Sequence, residues 1–566
     1  MSTPENAANV SVESSPATEG DGTMDPAAAA GTEATKRIGV GYDTSEPHVT
    51  VGAVIVDGVC DPSALVRIPL STFNRHGLVA GATGTGKTKT LQGVAEQLSV
   101  AGVPVFMPDI KGDLSGLAVP GQPGEKITER AADTGESDWA ATAYPAEFFA
   151  LAGQGNGIPL RATMDSFGPL LLSKVLGLND TQESTLGLIF HWADQKNLPL
   201  LDIKDLRSVI SFLTGDEGKA DLKELGGVSS ATAGVILRAV TNLEAQGGDV
   251  FFGEPQLDVA DLLRTTADGR GIISLLEVSD LQTRPALFST FLMWLLAELF
   301  EELPEVGDLA KPKLVFMFDE SHLLFADASK GFLEAIGQTV RLIRSKGVGV
   351  FFCTQQPTDI PGPVLSQLGA RIQHALRAFT PEDQQALART VKTYPKSPDY
   401  DLAEVLTTLG TGEAIVTVLS EKGAPTPVAW TRVRPPRSQM APADPALVTG
   451  AIGSSPLNSK YGPASDRESA YEMLTARLGP SAPTSAPGVP SGPTLDPTIQ
   501  PYNPYGDAAA APGPAPGRSR SKPDDGGGLL GGVLGSPVVT SFLRSLGSSL
   551  GGALGRSMSG TRKRRR

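Results

Sequence analysis

Residues 81–88 read GATGTGKT and fit the pattern G-x-x-x-x-G-K-[ST] of a phosphate-binding loop. Glycines at this spacing let the backbone curl, so that successive N–H groups point at the phosphates of a nucleotide. Lys87 would bridge the β- and γ-phosphates, and the hydroxyl of Thr88 would bind Mg²⁺. A glycine turn before an ordinary helix is the plain alternative, but the segment lies between a predicted strand and a predicted helix. The predicted nucleotide-binding residues are Gly81, Ala82, Thr83, Gly84, Thr85, Gly86, Lys87 and Thr88.

Two adjacent carboxylates, Asp319 and Glu320, follow the apolar run LVFMF at 314–318. A buried strand of this kind ends at the carboxyl edge of a parallel sheet, where ligands bind in open α/β folds. Asp319 would hold the water shell of Mg²⁺, and Glu320 would polarise the attacking water. An acidic cap on the following helix is the alternative for this pair taken alone.

Polar and basic residues near the next two predicted strands could complete such a site. Thr354 and Gln355 end the strand at 347–357 and could reach a γ-phosphate, although an ordinary exit from strand to turn has the same pattern. Arg371 begins the following predicted strand and could act on the nucleotide of a neighbouring subunit. The rival arginines for that role are Arg341, Arg344 and Arg377.

These residues need a scaffold of strands and helices that brings them together. The strand-like segment ending at the glycine loop, the helix at 88–102 and the strand at 103–110 form a βαβ unit. Further apolar segments near 270–281, 313–320, 347–357 and 410–419 alternate with helical patterns. The sequence therefore predicts an α/β fold with a central, mostly parallel sheet.

Composition divides the 566 residues into a folded body and two low-complexity ends. The chain has 64 glycines and 45 prolines, and both are enriched toward the C-terminus, while residues 1–35 lack aliphatic periodicity, which indicates disorder at both ends. We expect a disordered tail at 1–36, a β-rich lead-in at 37–75 and a catalytic domain at 76–435 with a helical insert at about 125–265. A Pro/Gly-rich disordered linker at 436–527 and a Gly/Leu-rich basic tail at 528–566 would follow.

Charge and cysteine content exclude several classes of protein. The net charge is −14, divided into −19 over residues 1–440 and +5 over residues 441–566, so a broadly basic DNA-binding face is not expected. The final RKRRR either adds electrostatic affinity for a polyanion or only solubilises the end.

Two cysteines, Cys60 and Cys353, exclude a disulfide framework and multi-cysteine metal sites. With no signal-like start and an apolar run at 285–297 that is too short for a membrane span, a cytoplasmic protein without an integral membrane segment is expected.

The segments 77–116, 314–325 and 341–387 resemble the HerA/FtsK superfamily of ATPases. Within it, they are most similar to the bacterial proteins with a HerA-helicase-like C-terminal domain. The resemblance implies a RecA-like ASCE core that uses ATP and Mg²⁺, with Glu320 as catalytic base beside Asp319, and with Lys87 and Thr88 in the phosphate-binding loop. It maps the polar sensor to Thr354 and Gln355, and the arginine that acts between subunits to Arg371.

Two functions are compatible with these observations. The first is an ATP-hydrolysing motor on double-stranded DNA that forms a homo-oligomer, a hexamer by resemblance. The second is an ATP-dependent switch or protein-remodelling factor that its C-terminal tail recruits to a partner or a membrane. Because residues 1–440 carry a charge of −19, the sequence supports ATPase activity more strongly than a DNA substrate.

Overall fold

One twelve-stranded sheet runs through the part of the chain that the structure describes. This computed structural model describes residues 26–151, 155–224, 228–278, 285–307, 309–325 and 330–478. In spatial order the strands are 2-1-12-11-10-3-9-8-4-7-5-6. Their bounds are β1 (His48–Val56), β2 (Val59–Pro69), β3 (Gly77–Ala80), β4 (Val105–Asp109), β5 (Ala146–Leu151), β6 (Ile158–Leu160), β7 (Ile273–Glu277), β8 (Leu314–Phe318), β9 (Val348–Thr354), β10 (Ala370–Gln373), β11 (Glu413–Thr417) and β12 (Ala429–Val433).

Eight neighbouring strands of this sheet, from β10 to β6, are parallel. The remaining four, β11, β12, β1 and β2, continue the sheet in antiparallel pairs on the side of β10. Parallel strands are covered on both faces and are therefore apolar along their whole length. Every residue of β8 and β9 is buried accordingly. The predicted α/β fold with a mostly parallel sheet is confirmed.

Alternate residues of the central strands face two different hydrophobic cores, as the twofold period of a strand requires. In β8, Phe316 and Phe318 pack in one core, while Val315 and Met317 pack in the other. Helices cover both faces, and the glycine loop and the two carboxylates emerge at the carboxyl ends of β3 and β8.

Eighteen α-helices are described. Their bounds are α1 (Pro26–Val40), α2 (Lys87–Val100), α3 (Glu125–Asp133), α4 (Met164–Val175), α5 (Asp180–Gln195), α6 (Ile203–Thr214), α7 (Lys219–Glu224), α8 (Ser230–Leu243), α9 (Asp249–Phe251), α10 (Pro285–Glu302), α11 (His322–Phe325), α12 (Lys330–Ile343), α13 (Gly362–Leu365), α14 (Pro381–Val391), α15 (Leu402–Thr408), α16 (Pro445–Ser454), α17 (Pro456–Tyr461) and α18 (Ala470–Leu478). None of the helices in the described residues is long and apolar enough to cross a membrane.

Several expected domain boundaries differ from the structure. Residues 26–36, expected to be disordered, belong to α1, and the lead-in at 37–75 is not separate because β1 pairs with β12. The segment at 125–265 is rich in helices, but it also adds β5 and β6 to the parallel sheet. The expected linker from 436 is wrong for α16, α17 and α18. The first 25 residues, the rest of the linker from 479 and the basic tail at 528–566 lie outside the described residues.

Candidate nucleotide-binding and catalytic site

The glycine loop connects the end of β3 to the start of α2, the context that the motif requires. Gly81, Gly84 and Gly86 have positive φ angles of 152°, 79° and 112°. A side chain at Gly81 would place its Cβ only 2.5 Å from the Cβ of His374, so the loop depends on glycine there. The backbone N–H groups at the start of α2 and the helix dipole make this end of the helix suited to an anion.

Lys87, the first residue of α2, is buried beneath the loop and is only 7% exposed. Its Nζ donates a hydrogen bond to the carbonyl oxygen of Ala82 at 3.1 Å. The ammonium group therefore lies inside the curve of the loop, where it can bind phosphate oxygens.

Thr88 and Asp319 are 231 positions apart in the sequence and meet in the structure. The hydroxyl of Thr88 donates to Oδ2 of Asp319 at 3.1 Å. A hydroxyl and a carboxylate are hard oxygen ligands of the kind that Mg²⁺ prefers, and Mg²⁺ usually takes its other ligands from phosphate and water. The described residues contain no cluster of three or more His, Cys, Asp or Glu side chains that would form a complete protein metal site. The Thr88–Asp319 pair therefore fits two of the ligands of a Mg²⁺ ion.

Glu320 is held at the carboxyl end of β8 in an uncommon backbone conformation. Its φ is +47°, in the left-handed region that side chains seldom adopt, and its N–H donates to Oδ1 of Asp319 at 2.8 Å. Its Oε1 accepts a hydrogen bond from Nζ of Lys111 at 2.5 Å. Burial alone would raise the pKa of Glu320, but Lys111, with help from His322 and Lys87, outweighs it and holds the pKa below its usual value. Glu320 is therefore ionised at neutral pH.

The polar end of β9 contacts the glycine loop through its backbone. The N–H of Gly81 donates to the carbonyl oxygen of Thr354 at 3.2 Å. The hydroxyl of Thr354 donates to Oδ2 of Asp359 at 2.6 Å. Gln355 is exposed. A sensor role for Thr354 and Gln355 stays a prediction.

Arg371 and two of its rivals line a common cavity of about 580 Å³, together with Arg75. Arg75 precedes β3, and Arg341 and Arg344 precede β9, so the cavity lies at the amino ends of these strands, opposite the glycine loop. Arg371 itself donates to the carbonyl oxygen of Thr393 at 3.5 Å and lies over the ring of Tyr394. It therefore does not contact the glycine loop of its own chain.

Arg377, the remaining rival, lies at the other end of the sheet. Its guanidinium donates to the carbonyl oxygen of Thr83 in the glycine loop at 3.5 Å. The four candidate arginines thus fall into two groups, three at the amino-end cavity and one beside the loop of the same chain.

The segment DIKGD (residues 109–113) begins at the last residue of β4 and forms the turn that follows it. Asp109 accepts hydrogen bonds from the N–H groups of Gly112 and Leu114, at 2.7 and 3.0 Å, and so shapes this turn. Burial, with a further contribution from Asp113, raises the pKa of Asp109 to about 6. Asp113 lies 3.8 Å from Lys89.

Two residues at the site were missed by the sequence reasoning. Lys111 contacts Glu320, and its neighbours in the DIKGD segment were the only signal of its importance. His374 is fully buried beneath the loop, with its Nε2 2.9 Å from the hydroxyl of Thr90 and its Nδ1 2.8 Å from the carbonyl oxygen of Glu413. Because the carbonyl can only accept, Nδ1 carries the proton and Nε2 accepts from Thr90.

A second cavity, of about 600 Å³, opens beside the start of α2. Its lining includes Gly86 and Thr90 from the loop and the helix, Arg130 from α3, and Pro436 and Met440 from the segment that follows β12. The mixture of apolar and polar surface next to the phosphate loop suits the nucleoside part of a nucleotide.

A comparison with protein-family models settles the family. The model for the helicase HerA-like C-terminal family matches residues 57–566 of the chain. The chain belongs to this family. In this chain the glycine loop follows β3, and Asp319 and Glu320 follow β8.

Solved structures with low sequence identity also match the HerA-like chain. The unbound bacterial conjugative coupling protein TrwB lacking its first 70 residues is 15% identical, with a TM-score of 0.49 over 73% of this chain and 94% of that one. TrwB in complex with ADP and Mg²⁺ is 16% identical, with a TM-score of 0.48 over 73% and 93%. VirB4 of Thermoanaerobacter pseudethanolicus is 13% identical, with a TM-score of 0.43 over 71% and 98%. No curated protein sequence matches the chain.

Proposed function

We propose that this protein binds Mg²⁺-ATP at the loop 81–88 and hydrolyses it. The observation that carries the proposal is the hydrogen bond between Thr88 and Asp319, which places the two motifs side by side with Glu320 adjacent. TrwB, a structural relative, was crystallised with ADP and Mg²⁺. In the proposed complex the nucleoside occupies the cavity beside Gly86, and Arg130 and Met440 contact it.

The proposed reaction uses groups that this chain already positions. Lys87 and the N–H groups of the loop bind the β- and γ-phosphates, and Thr88 and Asp319 hold the metal. Bound Mg²⁺ would neutralise charge on the phosphate oxygens. A carboxylate oxygen of Glu320 takes a proton from the attacking water as its oxygen bonds to the γ-phosphorus and the bond to ADP breaks. Gln355 is proposed to contact the γ-phosphate from the end of β9.

The arginines of the amino-end cavity are proposed to act on the nucleotide of a neighbouring copy. Arg371 cannot reach its own glycine loop, because the cavity lies at the opposite ends of the strands. A ring or other assembly that apposes this cavity with the next copy's loop would supply the positive charge that phosphoryl transfer needs. We propose a homo-oligomer for this reason, and a hexamer by family resemblance.

Double-stranded DNA is the proposed substrate, in keeping with the helicase-like family of the chain. The charge of −19 over residues 1–440 favours a contact surface limited to a few basic side chains. The same charge favours the second candidate function, an ATP-dependent switch or protein-remodelling factor recruited by its C-terminal tail.

Steady-state hydrolysis of Mg²⁺-ATP, measured with and without double-stranded DNA, tests this proposal. We expect turnover by the wild type, a several-fold stimulation by DNA, and loss of turnover in Lys87→Ala. Deletion of residues 528–566 is expected to leave the stimulation intact. Hydrolysis without stimulation by any DNA would favour the second function, and full activity of Lys87→Ala would exclude the site itself.

A further inference from the structure

Lys111 has no step to perform in the proposed reaction, although it makes a direct contact with the proposed base. It follows β4, which lies next to β8 in the sheet, and its Nζ lies 2.5 Å from Oε1 of Glu320. Asp319 and Asp113 add further negative charge around the Lys111 ammonium group.

The backbone on both sides of this ion pair is firmly held. Beneath Lys111, the carboxylate of Asp109 binds the N–H groups of Gly112 and Leu114, and Gly112 has a φ of 75°. The N–H of Glu320 is bound by Asp319, and its carbonyl oxygen accepts from Leu323 at 3.0 Å. A change in the ion pair must therefore come from side-chain rotation.

The two side chains of the ion pair, Lys111 and Glu320, differ in solvent exposure. The side chain of Lys111 is 51% exposed, whereas that of Glu320 is 11% exposed. The second carboxylate oxygen, Oε2, is buried and has no hydrogen-bond partner among the described residues, and His322 Nδ1 lies 3.4 Å from it. Lys111 therefore has solvent to rotate into, whereas the side chain of Glu320 is enclosed.

Glu320 is a weaker base while this contact lasts. A general base takes its proton from water through a carboxylate oxygen, and it does so less readily when a cation is paired with that carboxylate. In the contact with Lys111, Oε1 accepts from the ammonium group, and the paired charge also makes the unpartnered Oε2 less basic. We propose that Lys111 is a positioning residue that restrains Glu320 and slows hydrolysis until the ion pair opens. This inference rests on the proposed role of Glu320 as the base.

The full-length Lys111→Met variant tests the restraint, because methionine keeps an unbranched chain without the charge. We expect its kcat for Mg²⁺-ATP to rise about two- to fivefold, the range that corresponds to a partly exposed ion pair, with little change in KM. Lys111→Arg restores a positive charge and should bring kcat back below that of Lys111→Met. The matched control is Lys219→Met at the first residue of α7, which removes an ion pair of the same 2.5 Å length to Asp216 and should leave kcat unchanged.

Each outcome bears on the proposal. An unchanged or lower kcat in a folded Lys111→Met protein would overturn the restraint, and so would an equally fast Lys111→Arg. If Lys111→Met does not fold, Lys111→Gln is measured against Lys111→Arg with the same expectation.

The double variant Lys111→Met with Glu320→Gln should be inactive. If Glu320→Gln alone stays active, the proposed base is wrong. If it is inactive and Lys111→Met is no faster than the wild type, only the restraint is wrong.

Discussion

At the scale of single residues, the hydroxyl of Thr88 joins the glycine loop to Asp319 at the end of β8. Thr88→Val keeps the shape of the side chain but removes the oxygen that contacts Asp319. We expect it to weaken Mg²⁺-dependent binding of ATP at least tenfold, while Thr88→Ser, which keeps the hydroxyl, retains most of it. Titration of a fluorescent ATP analogue with and without Mg²⁺ measures this, and equal affinities for the two variants would contradict a metal-binding role.

His76 gives the fold a defined dependence on pH. It is buried before β3, its Nδ1 accepts from the N–H of Val350 at 3.1 Å, and burial lowers its pKa to about 4. The unfolded chain binds a proton near pH 6.5, while the folded one does not until about pH 4, so stability falls as pH drops through this window.

Between pH 7 and pH 5 this residue should cost about 2 kcal/mol of unfolding free energy. Asparagine tolerates the φ of +59° at this position and does not titrate, so His76→Asn should lose about that much less stability than the wild type between the two pH values. Urea unfolding at both pH values measures the difference, and parallel losses would show that His76 titrates normally.

The sequence predicted the candidate site residues that belong to local motifs. It missed the residues that only the pairing of distant strands brings to the site. Lys87, Thr88 and the Asp319–Glu320 pair follow from local motifs on a strand and a helix. Lys111 and His374 contact the site only because β4 lies beside β8 and β10 lies beside β3, and no local pattern records such neighbours.

At the scale of elements, the segment that follows β12 crosses α2 and fixes the helix that carries Lys87. Buried Glu96 on α2 accepts from the N–H of Arg437 at 2.9 Å and from the N–H of Ser438 at 3.0 Å. Its carboxylate also accepts from the hydroxyl of Ser438 at 2.5 Å. This connection ties the C-terminal side of the sheet to the phosphate loop.

Glu96→Ala should therefore destabilise the fold by about 2–4 kcal/mol, because it leaves buried donors without a partner. The control is Glu217→Ala, which removes an exposed carboxylate and should change stability by less than about 0.5 kcal/mol. Unfolding free energies from urea titration compare the two. A similar small effect for both variants would mean that the crossing segment does not stabilise α2.

Prolines begin two of the helices that lie in the described part of the expected linker. The proline-rich composition from 436 predicts a disordered linker. In α16 and α17, however, Pro445 and Pro456 occupy the first helical position, where the missing N–H costs nothing, and the side chains of Asp444 and Ser455 cap the helices. The number of prolines in a segment therefore does not exclude helices. A proline that directly follows a capping residue is compatible with the start of a helix.

At the scale of the whole molecule, the proposed active site is complete only between two copies of the chain. Glu320→Gln and Arg371→Ala should each be inactive alone. When the two are mixed, some interfaces pair an intact Glu320 with an intact Arg371 from the neighbour, so ATPase activity should recover in part. Failure to recover in a mixture that does form joint oligomers would contradict an action of Arg371 between subunits.

Assembly itself should depend on the nucleotide. Because the arginine cavity would contact the neighbour's γ-phosphate, a non-hydrolysable ATP analogue should increase the mass in solution relative to ADP. Light scattering with both nucleotides measures this. A monomeric mass with both nucleotides would contradict the proposed ring.

The central claim is that Glu320 acts as the base of an ATPase whose nucleotide is held by the loop 81–88. The most direct measurement is a paired one on Glu320→Gln, namely its affinity for Mg²⁺-ATP and its rate of hydrolysis. We expect an affinity within about threefold of the wild type and a kcat lowered at least 100-fold, the loss typical of removing a general base. Hydrolysis at the wild-type rate by Glu320→Gln would contradict it.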